Sequence, residues 1–587
     1  MVQSTGLESA ISLMREGRLD EAEAELALEL RDRPNDAAGW VMRGALSSKR
    51  HDYSRAEACY RQAIAVAPEL PTAHQALATI LDITGRLEEA VQAYDRALQL
   101  APGDALVNTS FGALLTRIGR IGEAKERLEA ALSANPQLAS AVNNLGRLLV
   151  LSGDIERGVE LHRRAASLDP ANAAYASDAL FSLNYHPDKS VTEIAEAHFA
   201  WGRAAVAAVP APSVFLNNRD PDRRLRIGYA SPDFRNHAVG HALLPVLSAH
   251  DASQVEVTFY GEVERTDGET ERFKTAAHRW RSTLGIGDAA VARAIRDDGI
   301  DVLVDMAGHS AGNRLGVFAR RAAPVQVVWH GYPNTTGLPS VDYRMVDAIS
   351  DPAGSDVLAS EELIRLPGPF VVDVVDSGTP PVVVPPLFHN GFPTFGSFNN
   401  FAKVNGKVVS LWAAILRAVP GSRLYLKSSA NTDEWVRDRY RRMFAAEGVD
   451  ADRLRFGPHS APVFEHLAAY GEVDIALDPF PFNGTSTTME ALRMGVPVVT
   501  LAGENHVARV GASLLTHVGH PEWIARNPES YVSAAIMLAQ DRGRLAASRM
   551  RLRNEYLASP LANPAALARS VEAAYRAMWR KWCAAVG

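Results

Sequence analysis

The stretch ELPTAHQALATILDITGRLEEAVQAYDRALQLAP, residues 69–102, decides the first third of the chain. It closes on Pro102, and prolines also stand at positions 34, 68, 136 and 170, each 34 residues from the next. Leu77, Ala78, Leu81 and Gly85 of this stretch return one period later as Phe111, Gly112, Leu115 and Gly119, then as Leu145, Gly146, Leu149 and Gly153. The second half repeats as well: Ala56, Tyr60 and Ala63, then Ala90, Tyr94 and Ala97, then Ala124, Leu128 and Ala131. Small residues recur where two helices must approach, and large apolar ones fill the space between. Glycine at 17, 85, 119 and 153 frees the backbone at the reversal, and proline stops the second helix because it has no N–H to donate.

A 34-residue period of this kind is that of the tetratricopeptide repeat, a helix–turn–helix unit that stacks into a solenoid. The repeats therefore predict an α solenoid over 1–170. Residues 171–206 read as capping helices without the repeat register, and 207–224 as a proline-rich linker. From 225 onward, short apolar β runs alternate with helical stretches. LRIGYAS (225–231), VEVTFYG (255–261), IDVLVDMAG (300–308) and VQVVWHG (325–331) form one set. PTFGSFNN (393–400), SRLYLKSS (422–429), LRFGP (454–458), VDIALDPF (473–480) and PVVTLAG (497–503) form a second. This alternation predicts two Rossmann-like α/β domains with parallel sheets, over 225–375 and 393–561, joined by a linker at 376–392. A helix at 562–587 completes the chain.

Composition narrows the class. The chain has 587 residues, 47% hydrophobic and 22% charged, with a formal charge of −7, which argues against a dedicated nucleic-acid binder and leaves only a local basic groove open. Two cysteines, Cys59 and Cys583, build neither a disulfide framework nor a four-cysteine zinc site. Neither a secretory leader nor a run of about 20 apolar residues is present. These features point to a cytoplasmic protein with no membrane partner.

Polar residues gather just after the apolar strands, where open α/β sheets bind ligands. SPDFRNHAVGH carries Asp233, Arg235, Asn236, His237 and His241; AGHSAGNR carries His309 and Asn313; WHGYPNTTG carries His330. GSFNNFAKVNG offers Asn399, Asn400 and Lys403. DPFPFNGTSTTMEALRMGVPVV runs from a strand through Gly484, Thr485, Ser486, Thr487 and Thr488 into a helix carrying Glu490. Glycine and hydroxyl residues at a helix start present free N–H groups and the positive end of the helix dipole, a natural seat for a diphosphate. Lys403 adds a point charge to that diphosphate, and Glu490 is placed to accept hydrogen bonds from ribose hydroxyls. No GxxxxGK[ST] or GxGxxG run is present, and no carboxylate pair suited to a metal stands out. Each residue also has a plainer reading: a solvated surface lysine, threonine N-caps, Asp305 as a turn residue, Trp40 and Trp201 as packing anchors. His51, His74, His162 and His198 read as ordinary residues of the solenoid and cap, and His250, His278, His389, His517 and His520 have no supporting context.

These motifs, in this order behind tetratricopeptide repeats, resemble the protein O-GlcNAc transferase family, and its SPINDLY-like branch in particular. The resemblance covers nearly the whole chain. It implies a GT-B fold and a metal-independent, inverting transferase that needs no cofactor and moves a sugar from a nucleotide donor to Ser or Thr of a protein. It places His237 near the donor phosphates and the acceptor hydroxyl, Lys403 on the diphosphate with Asn400 beside it, and His466 near the nucleotide. Gly484, Thr487 and Thr488 match the family's glycine–threonine turn. The run from Thr485 to Glu490 is closer to SPINDLY, whose plant members use GDP-fucose, and related bacterial proteins modify flagellin from CMP-nonulosonate donors. The donor therefore stays open at this point, as does the general base, which is His237, His309 or a path through water. A protein acceptor held by the repeats is expected, although only Asn144 matches the asparagine ladder of the family's groove. A non-catalytic scaffold and a transferase acting on small molecules or glycans are the alternatives.

Overall fold

The computed structural model describes residues 5–210, 214–375, 378–458 and 462–585. The chain divides into two compact units, one up to Leu148 and one from Leu149. The fifth repeat therefore contributes to both: its second helix, Ile155–Leu168, belongs to the second unit.

The first unit is a stack of paired helices, from Thr5–Arg15 and Leu19–Asp32 to Ala105–Arg117 and Ile121–Ala134. Its periodic small residues are spacers. A Cβ on Gly44 would lie 2.4 Å from the Tyr60 ring, and one on Gly112 would lie 2.7 Å from Leu128. Ala22, Ala56, Ala90 and Ala124 are fully buried at equivalent places on the second helices. Gly17, Gly85, Gly119 and Gly153 all take left-handed φ angles between 79° and 85°. The remaining member of that 34-residue series, His51, adopts φ 60° without being glycine. His51 is thus a strained turn residue and not merely a neutral surface histidine.

The second unit holds two wholly parallel sheets. The first contains β1 (Leu225–Ser231), β2 (Val255–Gly261), β3 (Arg279–Ser282), β4 (Val302–Asp305), β5 (Val325–Val328), β6 (Tyr343–Asp347) and β7 (Glu362–Leu366). Their order is β3-β2-β1-β4-β5-β6-β7. The second contains β8 (Thr394–Ser397), β9 (Arg423–Leu426), β10 (Leu454–Phe456), β11 (Ile475–Leu477), β12 (Val498–Leu501) and β13 (Ile524–Ala525), in the order β10-β9-β8-β11-β12-β13. Both sheets thus reverse direction beside their first strand, between β1 and β4 and between β8 and β11. Strands β3, β6, β7 and β13 add to those expected from the apolar runs.

The edges that carry the strand C-termini face one another. Asp347 and Asp351, at and beyond the end of β6, meet residues just beyond β12. His506 Nδ1 lies 2.5 Å from Asp351, the Ser513 hydroxyl donates to Asp347 at 2.6 Å, and Arg509 Nε donates to the Ile349 carbonyl at 2.9 Å. The C-terminal helix Pro564–Ala584 returns to the first sheet, where Val571, Tyr575, Met578 and Trp579 join the core around Tyr229 and Phe259. There Glu572 bonds His250 at 2.8 Å, and His250 Nε2 lies 2.8 Å from the Tyr229 hydroxyl. His250, which has no evident context in the sequence, is a buried tie between that helix and the domain.

The linker segments are anchored. Asn217 Nδ2 and the Arg223 guanidinium donate to the buried Asp301 carboxylate at 2.7 and 2.6 Å. In the stretch 376–392, Leu387–Asn390 forms a short helix whose Leu387 N–H donates to Asp474. Positions 211–213, 376 and 377 of these two stretches lie outside the described residues.

The cap helices Ala173–Leu183 and Val191–Ala207 pack on the first α/β domain through a glycine pair. A Cβ on Gly202 would lie 1.8 Å from the Gly337 carbonyl, and one on Gly337 would lie 2.1 Å from the His198 carbonyl. Gly202→Ala must push this helix off its seat, at a cost of about 1–3 kcal/mol. Thermal denaturation should show a lowered Tm for Gly202→Ala and an unchanged one for Gly368→Ala, where a Cβ meets nothing within 4 Å.

Candidate active site

The reversal between β8 and β11 brings together two loops far apart in sequence. Residues after β8 turn through the short 3-10 segment Phe401–Lys403, and residues after β11 lead to Gly484 and the helix Ser486–Arg493. A recess between them is lined by Ser397, Asn399, Tyr470, Asp478 and Thr487.

Lys403 is positioned by its own loop. Asn400 caps the turn, its side-chain oxygen accepting from the Ala402 N–H at 3.0 Å. The buried Tyr440 hydroxyl lies 3.1 and 3.0 Å from the carbonyls of Phe401 and Val404, which bracket the lysine. The ammonium then reaches across to donate to the Asn483 carbonyl at 2.8 Å, with the Phe482 ring 4.4 Å below it. Burial holds Lys403 well below the ordinary lysine range, against the opposing attraction of Asp478. The Asn483 carbonyl is its one hydrogen-bond partner among the described residues, so two of the three ammonium N–H groups are left for a ligand.

Asp478 was not singled out in the sequence, although it ends the strand at the switch point. It is buried and accepts from the Gly484 N–H and the Thr500 hydroxyl, both at 2.6 Å. Burial raises its carboxyl above the usual range, and those two bonds and Lys403 work the other way. Its grip on Gly484 fixes the turn that begins the helix. Gly484 is required there by space: a Cβ would lie 2.5 Å from Thr487 Oγ1, 2.8 Å from Thr488 Oγ1 and 3.0 Å from Asn399 Oδ1. The Thr487 hydroxyl donates to Asn399 at 3.0 Å, which ties the two loops together. Thr485, at the N-cap, makes no side-chain cap. The first helix N–H with an intrahelical partner is that of Met489, so the N–H groups of Ser486, Thr487 and Thr488 point out of the helix start.

His466 and Glu490 belong to a hydrogen-bonded row. Lys427 Nζ lies 2.6 Å from His466 Nδ1, His466 Nε2 lies 3.0 Å from Glu490 Oε2, and the Tyr470 hydroxyl donates to the same oxygen at 3.0 Å. An ammonium can only donate, so Nδ1 accepts and Nε2–H faces Glu490. Glu490 Oε1 accepts no hydrogen bond among the described residues. Lys427 and Tyr470 were not evident as site residues from sequence, because 39 and 20 positions separate them from His466 and Glu490 respectively.

The first sheet places His237 at its own switch point, beyond β1. The residue caps the helix Ala238–Ser248, and its Nδ1 lies 3.3 Å from both Asp233 Oδ1 and the Val239 N–H. Nε2 has no partner among the described residues. Burial lowers the His237 pKa, and the Asp233 carboxylate opposes that effect.

His309 is placed differently from the sequence reading. It is buried, its Nε2 donates to the Thr336 carbonyl at 2.9 Å, and its Nδ1 lies 3.1 Å from the Ser177 hydroxyl. The rings of Trp201, His198 and Tyr332 pack around it at 4.5–5.4 Å. Both nitrogens are engaged within an aromatic nest and burial pushes the His309 pKa down, so packing accounts for its placement. Asp305 is the turn residue expected, accepting from the Ala307 and Gly308 N–H groups at 3.2 and 2.7 Å. His330 follows β5 with a left-handed φ of 73°, and neither ring nitrogen has a hydrogen-bond partner among the described residues.

The glycosyl transferase family 41 model matches residues 178–376 and 390–571, and a tetratricopeptide repeat model matches 48–105 and 112–173. A tomato (Solanum lycopersicum) protein named probable UDP-N-acetylglucosamine–peptide N-acetylglucosaminyltransferase SPINDLY is 41% identical over 420 residues. That match spans 71% of this chain and 45% of the tomato protein. The SEC protein of Arabidopsis thaliana, whose name carries the same activity, is 32% identical over 62% of this chain and 38% of its own. The chain thus spans less than half the length of these plant relatives. A solved variant of the Thermobaculum terrenum O-GlcNAc transferase superposes with a TM-score of 0.84 at 35% identity, over 88% of this chain and 98% of that one.

The depressed lysine gives a pH test. A nucleoside diphosphate is fully ionised above about pH 8, since its terminal phosphate titrates near 6. Its affinity, measured by calorimetry, should fall with rising pH before the ordinary lysine value of 10.5 is reached, as Lys403 loses its proton. Lys403→Arg, which stays charged, should lose that alkaline limb; an identical limb in both proteins would contradict the assignment.

Proposed function

The chain belongs to glycosyl transferase family 41, and we propose that it is a protein O-glycosyltransferase that uses a nucleotide sugar and modifies Ser or Thr of a protein held by its repeats. The observation that carries the reading is the Lys403 ammonium, seated on the Asn483 carbonyl beside the Gly484 turn with hydrogen-bonding capacity to spare. The donor's diphosphate sits across Lys403 and the N–H groups at the start of the helix Ser486–Arg493. Those groups stabilise the charge that develops as the sugar's bond to phosphate breaks. His237 Nε2 takes the proton of the acceptor hydroxyl in the tautomer whose Nδ1–H faces Asp233, which gives up the bond that Nδ1 accepts from the Val239 N–H. The acceptor oxygen attacks the anomeric carbon from the face opposite the leaving diphosphate, so configuration inverts and nucleoside diphosphate is released. Positive charge in the site comes from the protein, and we read the transfer as metal-independent.

The plant relatives' names make UDP-N-acetylglucosamine the first donor to test, and they favour neither GDP-fucose nor CMP-nonulosonate. They also favour an enzyme over a bare scaffold. For the nucleotide, Glu490 Oε1 and the His466 row are the groups available to the ribose and base. Nothing in the fold selects a particular acceptor, flagellin included.

Two outcomes check this reading. In a thermal-shift screen, UDP at 100 times its Kd should stabilise the protein by about 2.7 kcal/mol, with GDP and CMP doing less. In a radiolabelled transfer assay with EDTA present, the wild type should glycosylate a protein acceptor. Lys403→Ala should lose about 10²-fold or more in kcat with an unchanged circular-dichroism spectrum. Full activity in Lys403→Ala, or loss of wild-type activity on chelation that metal restores, would contradict it.

A further inference from the structure

We propose that Tyr185, on the turn after the first cap helix, is a positioning residue for the Lys403 ammonium, acting through the ring of Phe482. This inference rests on the donor reading above and names a part of the chain outside both α/β domains that the donor site needs.

Three observations converge on it. The Tyr185 ring stacks on Phe482 with centroids 4.8 Å apart and planes 16° from parallel, and Lys403 Nζ stands 4.4 Å from the Phe482 centroid. The ammonium thus sits over one ring of a two-ring stack, where the aromatic quadrupole attracts it. Second, the apolar cluster beneath this stack joins Val150, Ile155 and Val159 of the last repeat to Ala402, the residue before the lysine. Third, the turn of that repeat abuts the residue that brackets the lysine loop. Gly153 has φ 85°, and a Cβ there would lie 2.3 Å from the Tyr440 hydroxyl, the group that spans the Phe401 and Val404 carbonyls.

Phe482 alone does not explain this arrangement. Its segment, between Asp478 and Gly484, is fixed by backbone and side-chain bonds, but the tilt of its ring is set by the ring stacked on it. Tyr185 supplies that face. The side chain makes no hydrogen bond through its hydroxyl among the described residues, so its contribution is the flat ring. Phe181 and Tyr332 continue the aromatic row toward the first sheet, with centroids 5.6 Å apart. The row therefore runs from the lysine of one domain to the His309 nest of the other by way of the cap helices.

The test uses the full-length protein with UDP and uridine as probes, the affinities read by calorimetry and ligand-observed NMR respectively. Lys403 meets only the diphosphate, so Tyr185→Leu, which keeps apolar bulk without a flat face, should weaken UDP about 5- to 20-fold and leave uridine within twofold. Tyr185→Phe should restore UDP binding to within about twofold of wild type. Equal weakening of UDP and uridine in Tyr185→Leu would make Tyr185 a merely structural residue and overturn the inference, as would unchanged UDP binding. A wild type that binds no UDP while Tyr185→Leu behaves identically would overturn the donor reading first, and the inference with it.

Discussion

A single buried carboxylate, Asp478, holds the candidate donor site in shape. Its two oxygens accept from the Gly484 N–H and the Thr500 hydroxyl, and its charge offsets the burial of Lys403. A group so placed cannot be left unpaired without a cost of about 1–3 kcal/mol or more, so the turn at Gly484 and the lysine loop are bound to it. The segment around it is also packed from behind. The Tyr531 hydroxyl donates to the Asp478 carbonyl and accepts from Trp412 Nε1, and a Cβ on Gly511 would lie 2.5 Å from Asp478 Oδ2. The helix start that offers free N–H groups is therefore preorganised before any ligand arrives, the condition under which such dipoles stabilise developing charge best.

The proposed base sits on the opposite sheet. His237 and Asp233 lie at the switch point of the first domain, and Lys403 and Gly484 lie at that of the second. The bonds from Asp347 and Asp351 to Ser513 and His506 set these two edges face to face. On the proposed reading, the donor is bound at one edge and His237 supplies the base from the other. The cap helices close the arrangement by seating aromatic rings against both sheets.

The sequence carried the parts of this picture that repeat or that follow strands. The 34-residue period was legible because every repeat solves the same steric problem, a small residue facing a large one, as Gly44 does against Tyr60. Lys403 and the Gly484 turn were legible because a cation and a glycine–hydroxyl helix start are local signals at strand ends. Strand β3 escaped because RWRS is an exposed edge with charge at alternate positions. Strand β6 escaped because Arg344 and Asp347 interrupt its apolar run, although both side chains are buried in pairs, and β7 because Glu362 and Arg365 flank and interrupt its own. The burial of His309 was not legible because it is created by Ser177 and Trp201, more than 100 residues earlier. Lys427 and Tyr185 depend on long-range contacts with no local pattern, whereas Asp478, six residues before Gly484 at a strand end, carried a local signal that went unread.

The central claim is that the second sheet's switch point seats the diphosphate of a nucleotide sugar. The most direct measurement is a crystal structure of the protein with UDP bound. The account predicts the diphosphate within hydrogen-bond distance of Lys403 Nζ and of the N–H groups that begin the helix Ser486–Arg493, with the ribose toward Glu490. A nucleotide seated elsewhere, with Lys403 still on the Asn483 carbonyl and no contact to phosphate, would contradict it.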